Sequence, residues 1–246
     1  MSDFIQYYNR AMYMDFSQAS VYLDACFILS YFDLSEKEGK SETIHALVNQ
    51  WRDGGVRKVG ISNHVFEEVV YNLLKDEVHT VLYLYHLKVN QSKYGVKLTK
   101  DQLDRLGDEN VAKQLYGLID TRIIDRRIRD KKTSINVRDL MKDAKSTVFP
   151  RSALHRFYQN AVTRFSNLLF AWRVYFNIEV ENLISETPES DLAQSFMRFY
   201  QLDPTDSLHL GIAAVHEYDY FLTLDHDFVH NFYTAELGNL KVLQIA

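Results

Sequence analysis

Short apolar, β-favouring runs that stop on a polar side chain, separated by helix-patterned stretches, set the strongest constraint on how this chain folds. Val21-Tyr22-Leu23 stops at Asp24, Lys58-Val59-Gly60-Ile61 at Ser62, and Tyr218 to Leu224 at Asp225. Between the first two lies an amphipathic helix over Ser41 to Trp51, with Ile44, Leu47, Val48 and Trp51 on one side and Asp53-Gly54-Gly55 to end it. Ser62 or Asn63 caps the next helix, whose core stripe is read as Val65, Phe66, Val69, Val70 and Leu73. Later come strand candidates at 177–181 and 240–245, a helix over Asp191 to Tyr200, and a capped helix after Asp203. Strands alternating with helices predict an α/β sheet with helices on both faces. Such sheets bind ligands outside the carboxyl ends of their strands, which is where Asp24, Ser62 and Asp225 sit.

Residues from roughly Tyr85 to Ala171 break this pattern. Leu103, Val111, Leu115, Leu118, Ile119, Ile123 and Ile124 predict one or two amphipathic helices, and Phe157, Val162, Phe165, Leu168, Leu169, Trp172 and Tyr175 another. The whole chain carries -5 at pH 7, which argues against a nucleic-acid footprint over the entire surface. One window is different. Arg122, Arg126, Arg127, Arg129, Lys131, Lys132, Arg138, Lys142 and Lys145 face only Asp125, Asp130, Asp139 and Asp143 between Arg122 and Lys145. This window reads either as an ion-paired helical surface or as a phosphate-binding patch. Cys26 is the only cysteine, so no internal disulfide forms, and a reducing cytoplasm is the expected setting. The same residue reads as a small buried hydrophobe. The longest apolar run, Val21 to Phe32, is interrupted by Asp24 and too short for a bilayer, so no membrane partner is expected, nor a signal peptide.

The acids carry the chemistry. Asp24 lies inside an apolar run, where a charge is costly unless paired, and it either caps the helix from Ala25 or binds a cation. Asp203-Pro204 fits a helix N-cap followed by Pro at the first helical position. Asp206 then falls in the first turn, as a helix-dipole acid or a ligand. Asp225 and Asp227 read as turn formers or as ligands, with the Thr223 hydroxyl beside them. Glu67 and Glu68 point about 100° apart on their helix, and periodicity does not choose between them. His226 and His230 have no second His cluster to complete a zinc site. Carboxylates gathered in one cleft repel, and an all-oxygen set selects hard Mg²⁺ or Mn²⁺.

Four segments together resemble the PIN-domain nucleases, known as toxins of toxin–antitoxin pairs and as RNA-processing enzymes. They are Val21 to Asp24, Ile61 to Glu68, Asp206 to Ala213 and Phe221 to Phe228. The resemblance implies a three-layer α/β/α sandwich around a parallel sheet of about five strands. It places the family's acid six residues after Ser62, at Glu68. It implies Asp24, Glu68, Asp206 and Asp225 as catalytic metal-binding acids, with Asp227 as a further ligand and Thr223 and Ser62 in support. It spans 18–85 and 174–246 of a single PIN-like domain 1–246, with 86–173 as a helical insertion that typical members lack. It also departs at Ala25 and Cys26, where the family often carries a hydroxyl or amide.

The activity expected is Mg²⁺- or Mn²⁺-dependent cleavage of RNA, single-stranded or structured. Arg122, Arg126, Arg127, Arg129, Lys131 and Lys132 would be its basic contacts. An antitoxin or a second copy of the chain are the candidate protein partners. A catalytically inactive nucleic-acid-binding scaffold and a structure-selective DNA nuclease are the alternatives.

Overall fold

A computed structural model describes residues 5–7, 16–34, 40–130, 135–230 and 232–245. In chain order the elements are β1 (Ile5–Tyr7), β2 (Ser20–Leu23), α1 (Ala25–Tyr31), α2 (Lys40–Gly54), β3 (Lys58–Ser62) and α3 (Asn63–Val89). Five helices follow: α4 (Gln91–Tyr94), α5 (Lys100–Leu106), α6 (Glu109–Gly117), α7 (Thr121–Asp130) and α8 (Val137–Thr147). The chain then makes α9 (His155–Val174), β4 (Glu179–Leu183), α10 (Thr187–Tyr200), α11 (Pro204–Val215), β5 (Tyr220–Thr223) and β6 (Lys241–Gln244). It forms two compact units. One runs to Val70 and resumes at Phe165; the other is Tyr71 to Arg164.

The first unit is the α/β layer fold the sequence predicts. Its strands are all parallel, in the order β1-β6-β5-β2-β3-β4. Five of them are the expected sheet, and β1 adds a three-residue edge strand beside β6. Central parallel strands are covered on both faces, so they are apolar throughout and do not alternate, whereas the edge strand β4 does alternate. Ser20 to Leu23 is accordingly buried at every position. Tyr22 stacks on Phe221 at 5.6 Å across the β2–β5 pair, and Phe27 of α1 stacks on Trp51 of α2 at 5.5 Å. Burying each such side chain contributes roughly 1.5–3 kcal/mol.

The strand order sets where a ligand can sit. From β2 the chain moves outward to β3 and then β4, and returns to β5 on the other side of β2 before adding β6. Helical connections therefore leave β2 and β5 in opposite directions, and a crevice opens beyond their carboxyl ends. Asp24 is the first residue past β2, and Asp225 lies two residues past β5.

Several local expectations shift. Phe66 was expected in the core stripe of α3, but Val65, Val69 and Leu73 form it and Phe66 is 42% exposed. One residue is about 100° around a helix, enough to leave the buried face. The strand expected at 177–181 begins two residues later, because Asn177 takes a left-handed φ of 52° that no strand residue holds. The second unit, Tyr71 to Arg164, overlaps most of the expected 86–173 and begins within α3, which runs unbroken to Val89. Within that unit the one or two helices expected from Leu103 to Ile124 are three. Gly107, at φ 64°, ends α5, and Asp108 caps α6 through the amides of Asn110 and Val111. Buried His86 ties the same unit together, meeting Tyr116 Oη at 2.7 Å and Asp125 Oδ1 at 3.1 Å.

Helix α11 packs on α10 at backbone distance, as its small residues predict. A Cβ on Gly211 would lie 2.8 Å from the Glu189 carbonyl oxygen, which cannot swing away. Gly211→Val is therefore expected to lower stability in urea unfolding by about 2 kcal/mol through overpacking. Gly54→Ala, where a Cβ meets nothing within 4 Å, should be neutral or slightly stabilising.

Candidate metal and phosphodiester site

Asp24 is built into the fold twice. Its backbone is extended and its Oδ1 accepts the Ala25 amide at 2.6 Å, so it does cap α1. Its Oδ2 points the other way and accepts from Thr223 Oγ1 at 2.7 Å and from Cys26 Sγ at 2.8 Å. Cys26, expected as an apolar filler, is thus a polar linker, since its sulfur also accepts the Leu224 amide at 3.1 Å. Burial and the Asp24 charge push its thiol pKa well up, which keeps the proton on sulfur as a donor.

Thr223 completes the junction from β5. It is wholly buried; its hydroxyl donates to Asp24 and accepts the Asp225 amide at 2.9 Å. Asp225 Oδ1 then accepts the Asp227 amide at 3.1 Å, an Asx turn that carries the chain away from the strand. The turn-forming reading of this pair holds, and the turn leaves both acids just beyond the strand end.

Helix α11 brings the next acids. Asp203 caps it, accepting the amides of Thr205 at 2.9 Å and Asp206 at 3.0 Å, with Pro204 in the first turn. Asp206 follows in that turn, and its pKa is pushed up to about 7. Desolvation is the main cause, followed by the charges of Asp203, Asp24, Asp225 and Asp227. A helix N-terminus favours a carboxylate by about 1 kcal/mol at most, whereas three pKa units correspond to roughly 4 kcal/mol before solvent screening. Desolvation and repulsion win.

Glu68 belongs to the same group. It is solvent-exposed on α3, yet partial desolvation and the charges of Asp24 and Asp203 raise its pKa. The structure therefore brings Asp24, Asp225 and Asp227 within electrostatic reach of Asp206, and Glu68 within reach of Asp24, and adds Asp203, which the sequence had assigned to capping alone, to both groups. Among the described residues, no group of three or more His, Cys, Asp or Glu side chains is arranged to hold a metal ion. The acids share a field without converging to ligand spacing.

Behind them runs a buried chain that includes two residues the sequence reading passed over, Tyr22 and His209. Tyr22 Oη donates to Ser62 Oγ at 2.8 Å and lies 2.9 Å from His209 Nδ1. Ser62 also accepts the Val65 amide at 3.3 Å, which caps α3. Because the Tyr22 proton goes to Ser62, its oxygen accepts Nδ1–H, and His209 Nε2 is left with a lone pair. His209 is 1% exposed, and Nε2 has no hydrogen-bond partner among the described residues. Burial holds its pKa down, outweighing the pull of Asp24. The signal available in the sequence was spacing, since His209 lies one helical turn after Asp206.

The basic candidates belong to the other unit. Arg122 is exposed and forks onto Asp120 at 2.8–3.0 Å, the ion-paired surface reading. Arg126 is exposed on α7 as well. Arg127 and Arg129 are on α7, their side chains outside the described residues, as are Lys131 and Lys132 entirely.

Comparison with protein-family models finds no match for the chain, and comparison with curated proteins and solved structures finds none either.

The Asp206 pKa fixes a sign that stability measurements can read. Its folded value, about 7, lies above an unfolded value near 3.9, so the charged form is the destabilised one. The penalty is absent below about pH 4, grows as the pH rises toward 7 and is complete above it. Asp206→Asn should match the parent at pH 4 and exceed it at pH 8 by about 2 kcal/mol after screening, in urea unfolding. A difference that does not change with pH contradicts the repulsive cluster.

Proposed function

We propose that this chain is a PIN-like, metal-dependent endoribonuclease that hydrolyses phosphodiester bonds of single-stranded RNA. The observation that carries this reading is Asp206, a carboxyl whose pKa is pushed up to about 7 by desolvation first and then by four other acids, at the crevice between β2 and β5. Gathered, partly desolvated carboxylates repel, and a hard divalent cation is the usual means of relieving that repulsion. The donor set fits one, being all carboxylate oxygen with a hydroxyl behind it. Asp24, Glu68, Asp206 and Asp225 would hold Mg²⁺ or Mn²⁺, with Asp227 beside them. When bound, the ion supplies Lewis acidity toward a phosphate and its attacking water.

The chain's own residues do the rest of the work. Thr223 and Cys26 hold the Asp24 carboxylate against rotation by donating to one of its oxygens. Asp206 can take a proton or release one near neutral pH. The Ser62–Tyr22–His209 chain fixes the wall behind them. An antitoxin partner and a cytoplasmic setting belong to the same proposal through the family resemblance. A catalytically inactive nucleic-acid-binding module is the second reading, favoured by the absence among the described residues of three side chains at metal-ligand spacing.

Cleavage of short single-stranded RNA with Mn²⁺ separates these readings. The parent protein should cut, while Asp24→Asn and Asp206→Asn should lose about 100-fold or more with the helical circular dichroism unchanged. Full activity in either variant rules out this site, and a parent that binds RNA without cutting supports the inactive module. Parallel reactions on single-stranded and flap DNA test the DNA-nuclease alternative.

A further inference from the structure

We propose that a hollow beyond the ends of β3 and β4 is a subsite for one unpaired nucleobase of the strand presented to the acids. For the identity of that strand, the inference rests on the nuclease reading. The cavity measures about 320 Å³ and includes Ser62, Asn63 and Phe66 from the β3–α3 side and Asn182 and Ile184 from the β4 side. That volume lies at the lower end of the small-ligand range. It reaches the wall behind the acids through one residue already described. Ser62 lines it and also ends the buried Tyr22–His209 chain.

The lining chemistry selects the occupant. Phe66 is 42% exposed and rests edge-on against Phe165, with centroids 5.4 Å apart and planes at 76°. The exposed part of its ring is what a planar ligand could stack on. Ile184 is 70% exposed on the opposite side. Leaving two large apolar side chains in water forgoes burial that a flat apolar face would restore. Two amides lie at the edge. Asn63 Oδ1 accepts the Ser185 amide at 3.4 Å, so its Nδ2 remains a donor, and Asn182 carries a donor and an acceptor. None of the described lining residues is charged. A phosphate, a carboxylate or a cation would therefore find no counter-charge there. A neutral planar heterocycle with hydrogen-bonding edges would find a ring to stack on and amides to read it. The phosphate attached to that base has no place in the hollow and belongs with the acids next door.

Cleavage kinetics with single-stranded RNA carrying one abasic position, moved along the strand, test this. In the parent protein, removing the base at one position should raise KM about tenfold with kcat nearly unchanged. Phe66→Ala should raise KM for intact RNA by a similar factor and erase the difference between intact and abasic strands. Phe66 is solvent-exposed, so the variant should keep the parent's melting temperature within a few degrees. An abasic penalty of equal size in parent and Phe66→Ala, or no penalty at any position, overturns the subsite. If the parent cuts no RNA, the catalytic reading falls and the subsite is read by binding alone, using oligonucleotides with single 2-aminopurine substitutions. Saturable quenching at one position in the parent, lost in Phe66→Ala and in Asn182→Ala, upholds it. Equal quenching in all three proteins, or none, overturns it.

Discussion

The buried hydroxyl of Thr223 is the joint on which the acid site depends. It donates to Asp24 at the end of β2 and accepts the amide of Asp225 beyond the end of β5, so one oxygen joins the two parallel strands between which the strand order reverses. A valine would fill the same space and support neither bond. The hydroxyl's role is strongest because it is buried, where an unsatisfied polar group costs about 1–3 kcal/mol. Cys26 adds a second tie across the same junction, again from the chain after β2 to the chain after β5. The backbone geometry of a parallel sheet creates the crevice, and these side-chain bonds decide which way the carboxylates face within it.

From that joint the electrostatics follow. Asp24, Asp203, Asp206, Asp225 and Asp227 arrive from three directions, and their fields add at Asp206. Structural carboxylates are normally placed so that capping amides, helix dipoles or cations lower their pKa. Asp53 and Asp120 show this on the surface, each lowered by a neighbouring arginine. Asp206 goes the other way despite sitting in the first turn of a helix. A fold selected only for stability has no use for that, because Asn at the same position would keep the turn without the repulsion. Under the proposed function, the cluster would be held for a cation.

Much of this was legible in the sequence because it is local. The acid after β2 and the Asp203-Pro204 cap each follow from neighbours within a few positions, and both appear as expected. What was not legible depends on rotation or on partners far along the chain. Phe66 differs from Val65 by 100° and so moves from core to surface, where it becomes the open ring of the proposed base subsite. Asn177 looks like a strand residue until the end of α9 forces it into a left-handed turn. Cys26 and Thr223 are 197 residues apart, and nothing in the local pattern of either predicts that both reach the same oxygen of Asp24. His209 reads as one more position on a buried helix face until Tyr22 occupies one of its nitrogens and leaves the other bare.

The central claim is that these carboxylates form one cation site with a proton to displace. Calorimetric titration with Mn²⁺ at pH 6.5, repeated in buffers of different ionisation enthalpy, measures it directly. The account predicts saturable binding that releases a fraction of a proton in the parent protein, with the release absent and the affinity reduced in Asp206→Asn. Heats that do not saturate, or binding with the same affinity and the same proton count in both proteins, would contradict it.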